Sequence, residues 1–95
     1  KGTTHAEEAL IKLFGSTSRA RILVFLLSHT NETFYQREIV FETALSLQAV
    51  QRELGNLVDL GIVKKNETNS RVYYQINSPS PFLKPLIEIC RLVHG

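Results

Sequence analysis

Between residues 36 and 76 the chain changes its conformational preference three times, and the spacing of those changes leaves few folds open. Gln36 to about Thr43 reads as a short helix with Ile39 and Val40 pointing inward, and Ala44-Leu45 then turns the chain. Ser46 is suited to cap a second helix that runs to about Leu60, where Gly61 provides a left-handed stop. Two β-branched or aromatic runs follow at once, Ile62-Val63-Lys64-Lys65 and Arg71-Val72-Tyr73-Tyr74-Gln75-Ile76. They flank Asn66-Glu67-Thr68-Asn69-Ser70, a turn-rich segment, and so predict a β-hairpin.

The flanking segments complete the arrangement. Thr4-His5-Ala6-Glu7 has the form of a capping box, after which Ala6, Ala9, Leu10, Leu13 and Phe14 recur at helical spacing up to Gly15. Ser16-Thr17-Ser18 offers caps for a second helix, Arg19 to about Ser28, which is apolar on most sides and is therefore expected at the centre of the core. His29 to Thr33 is a polar connection, and Phe34-Tyr35 suits a very short strand. Asn77-Ser78-Pro79-Ser80-Pro81 interrupts the chain before a last helix over Phe82 to Val93, in which Pro85 is tolerated only in the first turn. The expected fold is α+β, mainly α, in the order helix, helix, short strand, helix, helix, hairpin, helix. Two short helices joined by a three-residue turn and followed by a hairpin make a winged helix-turn-helix.

Composition bounds the rest. The 95 residues suit one domain, read as 1–95, and 43% hydrophobic with 21% charged residues is an ordinary globular balance. The longest apolar run, Ile22 to Leu27, is far short of the ~20 residues of a membrane span, so no membrane partner is expected. No secretion signal opens the chain, and one cysteine suits a reducing compartment, so the expected location is cytoplasmic. The sequence has no methionine, so Lys1 is read as the start of a trimmed or processed fragment, with a longer parent left open. A net charge of +2 permits nucleic-acid binding without demanding it.

The second motif helix has two distinct faces. At about 100° per residue, Leu47, Val50, Leu54, Leu57 and Val58 share one side, while Gln48, Ala49, Arg52, Asn56 and Asp59 share the other, with Gly55 at the margin. In a major groove, Gln can bond adenine, Arg can fork onto guanine and Ala can touch a thymine methyl. Ser46 and the first free N–H groups suit a phosphate. Polar outer faces are common on any amphipathic helix, but this one is poor in acid. Gly55 either admits close approach by a partner or accommodates packing within the chain. In the hairpin, Lys64, Lys65 and Arg71 against Glu67 give residues 61–75 a net +2, equal to that of the whole chain. Basic strands suit DNA backbone or minor groove, and lysines also protect exposed strand edges. Of the adjacent Tyr73 and Tyr74, one is expected in the core and the other outside it.

Little else suggests chemistry. Cys90 and His94 share a helix face at i, i+4 but are too few to hold a metal, and a cysteine amid Ile87, Ile89 and Val93 is more often a small buried hydrophobe. No metal or other cofactor is therefore expected. His5 and His29 read as solvated. With no glycine-rich phosphate loop, paired carboxylates or Ser/His/Asp grouping, the chain is not expected to be an enzyme. The terminal helices carry more apolar surface than one core requires, about 220° of arc in the last helix and about 200° in the first. Leu10, Leu86, Ile89, Leu92 and Val93 are the candidate dimer contacts, with a further domain of a longer protein as the other occupant of that surface.

The motifs resemble those of ArsR-like winged-helix transcriptional regulators. Leu13-Phe14-Gly15-Ser16 with Arg19-Ala20-Arg21-Ile22-Leu23 is similar to the opening of that family, and Phe34-Tyr35-Gln36-Arg37-Glu38-Ile39 to the start of its first motif helix. Leu45 to Leu54, with Leu57 and Leu60-Gly61-Ile62-Val63, resembles the recognition helix and its stop, and Arg71-Val72-Tyr73-Tyr74 the second wing strand. The resemblance covers roughly residues 10–76. It implies a homodimeric, sequence-specific DNA-binding regulator, commonly a repressor, with recognition helix 46–60 in the major groove and wing 62–76 on the backbone or minor groove. By position, Ser46, Gln48, Ala49, Gln51 and Arg52 fall on the DNA-contacting helix, joined by Asn56 on its polar face. Lys64, Lys65 and Arg71 fall on the wing, and Arg37 on the first motif helix adds a backbone contact. Gln36 to Thr43 lacks the Cys or His that some relatives use to sense metal, so a metal effector is not implied. The rival expectation is a protein-interaction or regulatory module of a larger protein, such as a nucleotidyltransferase.

Overall fold

In a computed structural model, residues 5–94 are described. They form α1 (His5–Phe14), α2 (Thr17–Leu27), α3 (Gln36–Thr43), α4 (Leu47–Asp59), β1 (Val63–Thr68), β2 (Arg71–Ile76) and α5 (Leu83–His94). The described chain is thus α+β and mainly helical, with five helices and one antiparallel hairpin. The Thr4 capping box lies outside the described residues. No helix among them is long and apolar enough to cross a membrane.

Local chemistry explains where the helices begin and end. Ser16 accepts from the Arg19 N–H at 3.0 Å and opens α2, two residues earlier than its apolar pattern begins. Ser46 does the same for α4 through the Ala49 N–H at 3.1 Å. At the other end of α4, Gly61 adopts φ 79°, so that its N–H reaches the Val58 carbonyl and the Ile62 N–H the Leu57 carbonyl. This is a Schellman stop, and it swings the chain directly into β1. Pro85 occupies the first turn of α5, where a missing N–H leaves no helical bond unmade.

The core gathers on α2. Ala20, Ile22, Leu23 and Leu26 are buried against Ile39 of α3, Val50, Leu54 and Leu57 of α4, and Val63, Tyr74 and Ile76 at the base of the hairpin. Leu10 is wholly buried as well. That overturns its assignment as a dimer contact, because no part of it remains for a second chain. The apolar arc of α1 is divided between its own core and the outside, and Leu10 lies on the inner part.

The hairpin pairs Val63 with Ile76 through Thr68 with Arg71, so the expected five-residue loop narrows to Asn69-Ser70. Both have positive φ, 46° and 69°, as a type I′ turn requires. The predicted short strand is a single bridge: Phe34 and Tyr74 exchange N–H···O bonds of 2.9 and 2.8 Å. Asn77 closes the base, donating from Nδ2 to the Gly61 carbonyl at 2.8 Å.

Candidate nucleic-acid interface

On α4 the apolar side splits. Val50, Leu54 and Leu57 are buried, whereas Leu47, in the first turn and beyond the core, is half-exposed. Gln48, Gln51, Arg52, Asn56 and Asp59 are exposed and Ala49 is half-buried, so the polar side faces outward along the length of the helix. Ser46 is exposed too. Its oxygen is used by the cap, which leaves the hydroxyl proton available to a partner. Apart from its chain neighbours and the surrounding backbone of α4, no described atom lies within 4 Å of a Cβ built on Gly55, so packing within the chain does not demand glycine there. The helix nevertheless carries a residue about 1 kcal/mol worse than alanine.

One polar residue of α4 points inward, and the sequence reading missed it. Glu53 is 3% exposed and holds Arg19 of α2 through both oxygens, Nε–Oε2 at 2.6 Å and Nη2–Oε1 at 3.3 Å. This hydrogen bond raises the Arg19 guanidinium above its ordinary value. The fork ties α4 to α2 and, together with the buried Val50, Leu54 and Leu57, turns the polar side outward. Asn56, expected on the outer surface, also donates to Glu53 Oε1 at 3.3 Å, so only part of its amide is free. The two arginines of the mainly apolar α2, Arg19 and Arg21, were the available signal that such a helix carries part-buried ion pairs.

The hairpin is buried only at its base. Lys64 and Lys65 are both exposed, although strand alternation puts them on opposite faces and Lys65 stands opposite the buried Tyr74. Tyr74 is in the core, and Tyr73 is half-buried against Tyr35, with ring centroids 4.8 Å apart. The Tyr35 hydroxyl accepts from Arg71 Nη1 at 3.1 Å and meets the Tyr73 hydroxyl at 3.2 Å. Arg37 lies over the Tyr35 ring, 5.1 Å from its centroid. Tyr73, then Arg71 and Arg37, hold the Tyr35 phenol below its ordinary range, and the two tyrosines raise the Arg71 guanidinium.

The arginines divide by partner. Arg19 pairs with Glu53, Arg21 with Glu7 at 3.7 Å, and Arg91 with Glu88 at 3.0 Å. Arg37, Arg52 and Arg71 are exposed and have no carboxylate within 4.0 Å among the described residues. These three sit on α3, α4 and β2.

On the terminal helices, no residue of α5 is fully buried. Leu92 is 71% exposed, Ile89 and Val93 are half-buried, and Leu86 leans on the core. Leu13 of α1, at 63%, is exposed where Leu10 is not. Burial pushes the Cys90 thiol up, away from the thiolate a metal would need. His94 Nδ1 is 2.6 Å from the Cys90 carbonyl. No group of three or more His, Cys, Asp or Glu gathers at metal-binding distance among the described residues. His29 is half-buried rather than solvated, with its ring against Phe25 and Phe34 and Nδ1 2.8 Å from the Phe25 carbonyl. No family model matches the chain, and no curated protein is significantly similar to it in sequence.

Proposed function

We propose that this chain is a winged helix-turn-helix regulator of transcription that binds duplex DNA as a homodimer, in keeping with the ArsR-like motifs of its sequence. The observation that carries the reading is the division of the arginines: those without a carboxylate partner among the described residues all lie on α3, α4 and the hairpin. An unpaired guanidinium at the surface is a group prepared for phosphate or a guanine edge. In this reading α4 enters the major groove, with Gln48, Ala49, Gln51, Arg52 and Asn56 towards the bases. Gly55, open on the chain's own side, lets the groove wall come close to the helix. Lys64, Lys65 and Arg71 meet the backbone or the minor groove beside it. The exposed apolar residues of α1 and α5 are covered by the same residues of a second copy, as a two-fold interface requires.

The test is selection of binding sites from random duplexes, followed by titration of the winning sequence at several salt concentrations. If a dimer neutralises about 6–8 phosphates, log K falls with log[salt] at a slope of about −5 to −7. A flat salt response, or no binding at low salt, overturns the reading. The rival is a protein-interaction module, and one observation favours it: Phe41 of α3 is 82% exposed. That reading takes over if Phe41→Ala abolishes capture of a protein partner while duplexes go unbound.

A further inference from the structure

Between the start of α3 and the tip of the hairpin lies a cleft of about 340 Å³, lined by Tyr35, Arg37, Ser70, Arg71 and Val72. From the cluster at its edge we infer that this cleft is a phosphate-binding notch, in which Arg71 grips a phosphodiester of the DNA backbone instead of reaching into the minor groove. The inference rests on the duplex-binding reading above and assigns one contact within it.

Three observations converge. Arg71 is next to the turn, where an outstretched side chain would project past the hairpin, yet its guanidinium is drawn back to the Tyr35 hydroxyl at 3.1 Å. The two tyrosines engage at most two of its five donors, and no carboxylate takes the others among the described residues. The remaining fork suits the paired oxygens of a phosphate. Secondly, Arg37 occupies the first turn of α3, where the helix dipole disfavours a cation. An anion in the cleft turns that local cost into an attraction. The nearby acid, Glu38, is engaged by the Tyr35 N–H at 2.7 Å. Thirdly, the tyrosine rings pack together and their hydroxyls are bonded to one another, so the acceptor that holds Arg71 is placed before any ligand arrives. Tyr35 and Tyr73 are positioning residues, and the arginines are the binding groups.

Two measurements test this. On the free protein, inorganic phosphate at millimolar concentration is expected to shift the Tyr35 and Tyr73 ring resonances, and Tyr35→Phe or Arg71→Ala to abolish that shift while melting temperature holds. On the selected duplex, a neutral methylphosphonate at one position per half-site is expected to weaken wild-type binding by about tenfold, the scale of one charge-assisted contact. The same substitution should have little effect on Arg71→Ala. Diaminopurine in place of adenine beneath the hairpin, which adds an amino group only in the minor groove, is expected to leave wild type unchanged. If diaminopurine weakens wild type but not Arg71→Ala, Arg71 reads the minor groove and the notch is wrong. If wild type binds the duplex while phosphate moves neither tyrosine and Tyr35→Phe binds equally well, the notch fails and the DNA reading stands. Should phosphate move both tyrosines while no duplex binds, the phosphate site holds for a free phosphate ester, but the assignment of Arg71 to DNA is overturned.

Discussion

Arg52 and Lys65 carry the same charge and, in the proposed complex, do different things with it. Arg52 projects from the outer side of α4 with a planar fork that can grip one guanine edge, whereas Lys65 is a flexible point charge on the hairpin. Arg52→Ala is expected to cost about 1–3 kcal/mol per half-site on the preferred sequence and much less on scrambled DNA. Lys65→Ala is expected to weaken both by similar factors and to flatten the salt slope by about one per subunit. Leu54→Ala is the control: it opens a cavity under α4 and should lower stability by about 2–5 kcal/mol. Equal losses on both duplexes would make Arg52 a phosphate contact. No loss from either cation would remove α4 and the hairpin from the DNA surface. The outward direction of Arg52 was legible from helical periodicity alone. The inward turn of Glu53, which reinforces that direction, was not, because its partner Arg19 stands 34 residues away. The contact of Tyr35 with Tyr73 escaped for the same reason.

Among the elements, those with local punctuation were the most legible. Ser46 and Gly61 delimit α4, and α3 runs over the residues its pattern implies, Gln36–Thr43. The hairpin was placed correctly, but its loop was read too long. Asn66, Glu67 and Thr68 are common in turns, yet cross-strand pairing with Tyr73, Val72 and Arg71 draws them into β1. The turn that remains is stressed at one position. Ser70 takes φ 69°, where a Cβ is unfavourable, and lacks the local bonding that lets asparagine accept that region. Ser70→Gly, which restores the preferred Asn-Gly pair, is expected to raise stability by about 0.5–1 kcal/mol in chemical denaturation. An unchanged or lower midpoint would mean that the serine side chain compensates for the strain.

At the scale of the whole molecule, the width of the apolar arcs on the first and last helices indicated surplus surface, but width cannot say which residue of an arc the core takes. The core takes Leu10 and leaves Leu13 and Leu92 outside. Leu92→Glu is therefore expected to convert a dimer to monomer in sedimentation while leaving the circular-dichroism spectrum of the folded chain unchanged. A charge at that position has nothing to disturb within one chain and costs several kcal/mol when buried between two. Wild type sedimenting as a monomer at high micromolar concentration would refute the two-fold arrangement.

The hairpin is anchored at its base by Val63, Tyr74 and Ile76, steadied midway by Tyr73 and Val72, and tied near its tip by the bond from Arg71 to the Tyr35 hydroxyl, so only the Asn69-Ser70 turn stands clear. Beyond Thr68 and Arg71 it can therefore be lengthened in steps of two residues per strand. Each step changes its reach by about 7 Å, and pleat alternation returns every remaining side chain to its own face. Such steps leave the helices undisturbed, so descendants of this sequence are free to change how far they reach while folding as their ancestor did.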